Sequence, residues 1–347
     1  MLGRLRSHHR GELPFALYHK PGTAWVRAVM QEDRQLLPPL SWGEPGFVFA
    51  PFEMDKNPVV NLRPDLLLQS PMVPENLAPP PVELPEGEAY REAHLRRIEM
   101  ALAAIRKGDL EKVVLARPLR VPLQADPFRV FENFLAYYPG AFCYLWYHPA
   151  TGMWMGATPE LLLSYSGDTA RTVSLAGTLS AADGQPPTWG SKEIHEQQVV
   201  TDYICSRIQE QGLEARTGNT EAVRAGSLWH LKTPVSIRAG AGQLDPLLRA
   251  LHPTPAVCGF PLEQAQAFIA SHESFDREYY TGFLGESGLE QDGAFEFFVN
   301  LRCMKVLGGQ ATLFVGGGIT GASDPAREWE ETRQKSGTVL AAIKNSA

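Results

Sequence analysis

The chain has 347 residues, of which 44% are hydrophobic and 20% are charged, and its formal net charge is −7. This composition is typical of a globular protein with a sizeable core and excludes a mostly disordered chain. The acidic balance argues against a nucleic-acid binder, which needs a basic face. Because no run of about 18 apolar residues occurs and the basic N-terminus lacks an apolar core, we expect neither a membrane span nor a signal peptide.

The cysteine pattern favours a cytoplasmic protein. No C-x-x-C motif occurs, and neither a disulfide framework nor a zinc ribbon fits such wide spacing. We therefore expect four reduced cysteines in the cytoplasm. They lie 62, 53 and 45 residues apart, at Cys143, Cys205, Cys258 and Cys303.

Proline density divides the chain into two parts. Of the 28 prolines, 14 lie in the first 85 residues. Because proline cannot donate to a sheet ladder or continue a helix, this part should form short strands and loops, with candidate strands at 24–29 and 46–52. We expect a proline-rich N-terminal portion over residues 1–85, packed on a main domain over residues 86–347.

Helical and extended patterns alternate through the main domain. Apolar residues spaced by three and four predict a helix over 90–107, and Asp126 followed by Pro127 predicts the start of another over 127–137. Because successive strands are often joined by turns, the pattern favours antiparallel sheets with helices packed outside, an α+β fold. Further helices are expected at 191–211, 245–251, 262–271 and from 325 onward, and strands at 112–121, within 141–179, at 294–306 and at 310–315, the last ended by the glycine triplet 316–318.

Two pairs of glutamates stand on two predicted helices. Glu193 and Glu196 are three residues apart, and Glu328 and Glu331 repeat that spacing. Residues at this spacing share one helix face. A single such pair is more often a solvated face than a site, but two pairs on separate helices indicate a hard-cation site for Mg²⁺ or Mn²⁺.

Cationic residues and glycines form a second group. Arg302 follows an apolar stretch, Lys335 lies one helical turn after Glu331, and the triplet 316–318 lies between them in the chain. An arginine fork suits a carboxylate, and glycines let backbone N–H groups approach an anion. Together with a metal, this group indicates a pocket for a substrate that carries more than one carboxylate.

Lys112 and Glu160 form a possible base and acid. Lys112 begins an apolar strand, where burial would favour its neutral form, and Glu160 in ATPELLL would hold its proton for the same reason. The alternative is a surface lysine at the start of a strand and a glutamate in a turn. The residues alone leave both interpretations open.

Ordered segments of the chain carry a family resemblance. They are, in chain order, KVVLAR, GATPELLL, LAGT, KEIHEQQVV, LWHLKTPV, LHPTPAVCGFP, FDREYYTGFLG, LRCMKV, LFVGGGIT and EWEETRQK. Taken together, these segments resemble the chorismate-utilising enzymes, which include isochorismate synthase, salicylate synthase and the large subunits of anthranilate and aminodeoxychorismate synthases. The resemblance covers residues 90–347.

The resemblance implies a fold and a site. It implies one large α+β domain, with Mg²⁺ held by Glu196 and Glu331, and with Glu193 and Glu328 nearby. The metal would bind the ring carboxylate of chorismate, which Lys335 would help to neutralise. The pyruvyl carboxylate would be held by Arg302, Tyr280 and the backbone of Gly316. The remaining substrate contacts implied by the resemblance are Gly177, Thr178, His230, Ala256 and Leu301.

Two positions bear on the reaction that the resemblance implies. Lysine at position 112 is similar to the members that use water, in which Lys112 would deprotonate water for attack at C2 and Glu160 would protonate the departing C4 hydroxyl. Ala256 stands where lyase members and anthranilate synthases tend to have threonine. We therefore expect an isochorismate synthase, in menaquinone or siderophore biosynthesis, with salicylate synthase as the alternative.

The expected partner is the small-molecule substrate alone. The chain contains no cysteine nucleophile in a glutamine-amidotransferase motif. We therefore expect no amidotransferase subunit, no nucleic acid and no membrane among its partners.

Overall fold

The computed structural model describes residues 1–38, 43–72, 75–84, 88–180, 185–225 and 228–344. Seven α-helices lie within these ranges, and none of them is both long and apolar enough to cross a membrane. A short 3₁₀ turn, Ala241–Gln243, precedes the fifth. The helices are α1 (Leu2–Arg10), α2 (Glu88–Lys107), α3 (Pro127–Tyr137), α4 (Ser191–Glu210), α5 (Leu244–Leu251), α6 (Leu262–His272) and α7 (Pro325–Lys344).

The described strands pair into two large antiparallel sheets. They are β1 (Phe15–His19), β2 (Trp25–Met30), β3 (Gly46–Ala50), β4 (Val60–Leu62), β5 (Leu66–Pro71), β6 (Lys112–Pro122), β7 (Phe142–His148), β8 (Gly152–Thr158), β9 (Leu161–Ser166), β10 (Thr169–Ser180), β11 (Ala215–Thr217), β12 (Glu221–Ala225), β13 (Leu228–Arg238), β14 (Gly259–Phe260), β15 (Phe283–Ser287), β16 (Phe295–Val299), β17 (Cys303–Leu307) and β18 (Gln310–Thr320).

Sheet A has the order β14-β6-β18-β17-β8-β7-β1-β2-β5, and sheet B has the order β11-β13-β10-β9-β16-β15-β3-β4, with β12 also paired to β13. Aromatic side chains pack where the sheets face each other, such as Phe142 of sheet A against Phe298 of sheet B, with ring centroids 4.4 Å apart. Helices cover the other faces: Phe131 of α3 and Val339 of α7 pack on sheet A, and Val200 of α4 packs on sheet B. The expected α+β fold is confirmed.

The N-terminal portion contributes strands to both sheets. β1, β2 and β5 extend sheet A beyond β7, whereas β3 and β4 extend sheet B beyond β15. The boundary that we predict between residues 85 and 86 lies outside the described residues, so the division into two parts stays a prediction.

Two expectations about strands near the site are wrong. The single strand expected over 294–306 is two strands, because the chain leaves β16 of sheet B after Val299 and enters β17 of sheet A at Cys303. Arg302 makes this crossover with a φ of 49°, a left-handed conformation that costs a non-glycine residue about 1–2 kcal/mol. The glycine triplet 316–318 does not end β18, which continues to Thr320.

Candidate active site

A small cavity lies where β6, β10, β13 and β18 approach α4 and α7. It measures about 80 Å³, and we call it the inner cavity. Eleven of the residues predicted from the sequence line it, so the fold brings together side chains from distant segments. They are Glu160, Gly177, Thr178, Glu196, His230, Ala256, Tyr280, Leu301, Arg302, Gly316 and Lys335.

Lys112 is buried beside this cavity. Only 1% of the residue is exposed, and its Nζ lies 2.9 Å from Oε1 of Glu196. Burial opposes ionisation of Glu196, but Lys112, Lys192 and Lys335 together hold the pKa of Glu196 below its usual value. The interpretation of Lys112 as a surface lysine is therefore wrong.

Glu160 is a buried acid at the same site. It follows β8, and only 5% of the residue is exposed. Burial raises its pKa to about 7, although Lys112, Lys335 and Arg302 act in the opposite direction. Glu160 is therefore partly protonated at neutral pH, and the protonated form could act as a general acid.

His230 bridges a backbone bulge and Arg302. Its Nδ1 lies 3.2 Å from the carbonyl oxygen of Gly177, and its Nε2 lies 3.4 Å from Nη2 of Arg302. Because the guanidinium can only donate, we assign the imidazole proton to Nδ1, which donates to Gly177. Burial, then Arg302 and Lys335, lower the pKa of His230 to about 3. This histidine is therefore neutral and accepts a hydrogen bond from Arg302.

The glycines of β18 leave room for the side chains of Glu196, Lys112 and Tyr280. A Cβ at position 318 would lie 2.5 Å from Oε1 of Glu196 and 2.9 Å from Cε of Lys112, so only glycine fits without displacing them. A Cβ at position 316 would lie 2.9 Å from the Tyr280 hydroxyl. The glycine triplet therefore lets these side chains approach the backbone of β18 closely. It does so within the strand and not in a turn.

The predicted metal ligands lie in two neighbouring places. Glu196 faces the inner cavity, whereas Glu193, Glu328 and Glu331 line a second cavity of about 250 Å³, which we call the acidic cavity. Oε2 of Glu193 accepts a hydrogen bond from Gly190 N at 3.1 Å, at the start of its own helix. The two glutamates of the α4 pair therefore have different surroundings.

Each of the other three carboxylates has a lysine partner. Lys112 contacts Glu196 at 2.9 Å, Lys192 contacts Glu328 at 2.7 Å, and Lys335 contacts Glu331 at 2.7 Å. Three carboxyl groups thus face three lysine side chains.

The donor chemistry fits a hard divalent cation. Oε2 of Glu328 is buried and accepts no hydrogen bond, and burial, then Glu331, raise the pKa of this carboxyl group. An unpartnered carboxylate oxygen among all-oxygen donors suits Mg²⁺. Within the described ranges, no three His, Cys, Asp or Glu side chains have the spacing of a formed metal site.

Comparisons with known proteins identify the family. A family model described as "Chorismate binding enzyme" matches residues 67–344. The chain belongs to this family. Isochorismate synthase EntC of Escherichia coli is 32% identical over 269 residues, which cover 74% of this chain and 67% of EntC. The salicylate biosynthesis isochorismate synthase of Pseudomonas aeruginosa is 34% identical over 247 residues, which cover 68% of this chain and 51% of that protein.

A solved structure supports the fold of this chorismate-binding enzyme. The crystal structure of DhbC from Bacillus anthracis matches it with a TM-score of 0.79 over 99% of both chains, at 24% sequence identity. The likeness therefore extends through the N-terminal strands, in which we found no motif.

Gln197 is a site residue of this chorismate-binding enzyme that our sequence reasoning missed. Its Oε1 accepts a hydrogen bond from Ala176 N at 2.8 Å, and its Nε2 donates to Ser174 O and Thr233 Oγ1, both at 3.0 Å. These bonds hold the bulge of β10 that presents Gly177. The sequence signal for Gln197 was its position as a polar residue directly after Glu196.

A buried ion pair, also missed, holds two walls of the site together. Arg277 and Glu273 lie 2.6 Å apart and are both almost fully buried. Arg277 donates to Val257 O at 2.9 Å, directly after Ala256, and to Val114 O at 2.8 Å, two residues after Lys112. The four-residue spacing of Glu273 and Arg277 was the sequence signal, but it is equally common on exposed helix faces.

We expect Arg277→Met to lower the free energy of unfolding by about 3–5 kcal/mol, because it leaves Glu273 buried without a cation. Urea unfolding followed by circular dichroism measures this loss. Arg238→Met is the control, since Arg238 pairs with Asp168 on the exposed surface and should contribute little. Equal effects of the two substitutions would show that the buried pair does not hold the site together.

Proposed function

We propose that this chain is an isochorismate synthase, which converts chorismate to isochorismate. Support comes from its family and from relatives at 32% and 34% identity that are named isochorismate synthases. The observation that carries the proposal is Glu160, a buried carboxyl group with a pKa of about 7 that faces three cationic side chains. The salicylate synthase alternative has less support in the comparisons.

The reaction adds one water molecule and releases another. Lys112 would act as the base: its ammonium group, paired with Glu196, first releases a proton to solvent, and Nζ then accepts a proton from water while the water oxygen bonds to C2 of the ring. Two ring double bonds shift, the C4–O bond breaks, and Glu160 gives its proton to the departing hydroxyl group. Water is consumed and water is formed, so the net change is an isomerisation.

The proposed substrate contacts follow the charges in the inner cavity. Arg302, Tyr280 and the backbone of Gly316 would hold the pyruvyl carboxylate of chorismate. Lys335, whose Nζ donates to Gly316 O at 2.9 Å, would neutralise the ring carboxylate. We further propose a cytoplasmic location.

We also propose Mg²⁺ as the cofactor. Glu196 and Glu331 would hold the ion, with Glu328 and Glu193 nearby. When bound, Mg²⁺ would hold and neutralise the ring carboxylate of the substrate. The support is the all-oxygen donor set and the unpartnered buried oxygen of Glu328.

Product analysis tests the proposed function. The protein is incubated with chorismate and Mg²⁺, and the products are identified by NMR. Isochorismate without pyruvate is the expected result. Salicylate with an equal amount of pyruvate would assign the alternative function, and unchanged chorismate would contradict both.

The rate should depend on the protonation of Glu160. Because burial raises the pKa of this carboxyl group to about 7, and because a general acid must be protonated, kcat/KM should decline as the pH rises above that value. Initial rates from about pH 5.5 to 9 measure the profile. In Glu160→Gln the residual rate should lack this decline; a decline that persists there would assign the titration to another group.

A further inference from the structure

The inner cavity is too small to be the whole substrate-binding site. At about 80 Å³ it falls below the ~300–1,000 Å³ that is usual for small-molecule sites. A larger cavity of about 500 Å³ adjoins it, and the two share Pro159 and Arg302 in their walls. We call this larger space the arginine chamber. It is bounded by residues 76–79, by residues 137–141 and by Arg224 of β12.

The arginine chamber and the acidic cavity carry opposite charges. Arg224 and Arg302 are the ionised side chains among the described residues that line the arginine chamber. The acidic cavity adjoins the inner cavity at Thr178 instead. Its lining has five carboxylates against two cations, and its carboxylates are Glu193, Asp324, Glu328, Glu330 and Glu331.

Arg302 connects the arginine chamber to the inner cavity. Its guanidinium donates to Thr338 Oγ1, at 3.2 Å, on the chamber side, and reaches His230 at 3.4 Å on the inner side. The left-handed backbone at Arg302, at the crossover between the sheets, fixes this position. An anion that arrives through the chamber therefore meets a cation that already belongs to the inner site.

The chamber wall is part of the fold. The N–H of Leu77 donates to Ala136 O at 2.9 Å, which ties residues 76–79 to α3. Arg224 also lines the chamber and lies in a strand paired to β13, with its register partner Trp229 next to His230. Backbone hydrogen bonds thus hold both of these parts of the chamber wall.

We infer that the arginine chamber is an outer subsite that takes up the dicarboxylate substrate, with Arg224 as the residue that steers it toward Arg302. The inference rests on the proposed function and adds the route by which the substrate reaches the inner cavity. A dianion is attracted by the arginine chamber, since a charged cleft raises the local concentration of ligands of opposite sign, and it is repelled by the acidic cavity as long as no Mg²⁺ is bound there.

Charge reversal at Arg224 tests the steering. Stopped-flow fluorescence, with Trp229 beside the site as a reporter, measures the association rate constant for chorismate in the presence of Mg²⁺. Arg224→Glu should slow association about tenfold at low salt, and the difference should shrink as salt screens the charge. The matched control is Arg216→Glu on β11, where the exposed fraction of the arginine side chain is 71% and where it lines none of the three cavities.

Filling the arginine chamber and the acidic cavity in separate variants tests which of the two chorismate enters through. Ala78→Trp places a large ring in the arginine chamber. It should abolish the rapid association of chorismate, which is the fast phase of the stopped-flow signal. Ala322→Trp places the same ring at the acidic cavity and should leave that phase intact after incubation with Mg²⁺. Circular dichroism and thermal unfolding establish that each variant is folded.

The outcomes separate this inference from the proposed function. If the wild-type protein neither binds nor converts chorismate, the proposed function fails. If the wild-type protein converts chorismate but Arg224→Glu and Arg216→Glu associate at the same rate, the inference is overturned. Loss of the fast phase in Ala322→Trp, with retention in Ala78→Trp, would also overturn it and assign entry to the acidic cavity.

Discussion

Lys112→Ala should lower kcat by about 10²–10⁴-fold, the usual contribution of one acid–base group. The reason is that Lys112 is the proposed proton acceptor for the attacking water. Chorismate should still bind, because Arg302 and Lys335 remain. The measurements are steady-state kinetics with Mg²⁺ and a separate titration of chorismate binding.

Alanine at position 112 also removes the ion-pair partner of Glu196, so a second variant separates the two effects. Lys112→Arg keeps a cation beside Glu196, but a guanidinium cannot give up its proton to become a base. It should be about as inactive as Lys112→Ala while it unfolds at a higher temperature. Wild-type turnover in Lys112→Arg would contradict the base assignment and leave Lys112 with a purely electrostatic role.

Glu331→Gln should weaken Mg²⁺ binding and lower activity together. The loss of affinity should be at least about 10–100-fold, since even the partners of metal ligands contribute that much. Removal of this carboxylate also leaves Lys335 without its partner at 2.7 Å, which adds to the repulsion of a cation. Calorimetric titration with Mg²⁺ measures binding directly, and the Mg²⁺ dependence of the initial rate measures its effect on turnover.

The matched control is Glu210→Gln, at the far end of the helix that carries Glu196. Glu210 is exposed and pairs with Arg207, so this variant should bind Mg²⁺ as the wild type does. Wild-type affinity and rate in Glu331→Gln would remove Glu331 from the ligand set. Equal losses in both variants would indicate a general effect of acidic charge.

Local patterns in the sequence predict most elements of the main domain. Asp126 caps α3 by accepting a hydrogen bond from Phe128 N at 3.2 Å, as its place before Pro127 indicates. The helix predicted over 191–211 is α4, Ser191–Glu210. These predictions depend only on residues that are close together in the sequence, so the sequence alone is enough to make them.

The errors come from features that tertiary contacts decide. The apolar stretch over 294–306 has the composition of one strand, but its residues pair with two different sheets. Nothing local marks the crossover at Arg302. Likewise β1 and β5 of the N-terminal portion have no pattern that distinguishes them from loops, since their pairing with β2 determines them.

The candidate site, like the fold, has features that the sequence predicts and features that depend on tertiary packing. Residue types at motif positions identify Glu160 and Lys112 as candidates, but their burial, on which the pKa of Glu160 depends, comes from packing. The pairing of Lys112 with Glu196 joins β6 to α4, and no spacing rule predicts it. Gln197 and Arg277 were missed because their partners, such as Thr233 and Val114, are distant in the sequence and only folding brings them together.

The most direct test is the origin of the hydroxyl oxygen at C2 of the product. The protein is incubated with unlabelled chorismate and Mg²⁺ in water labelled with oxygen-18, and isochorismate is analysed by mass spectrometry. Attack by a water molecule that Lys112 deprotonates predicts one labelled oxygen in each isochorismate molecule. Unlabelled isochorismate would mean that the C4 hydroxyl group moves within the substrate, and would contradict the roles given to Lys112 and Glu160.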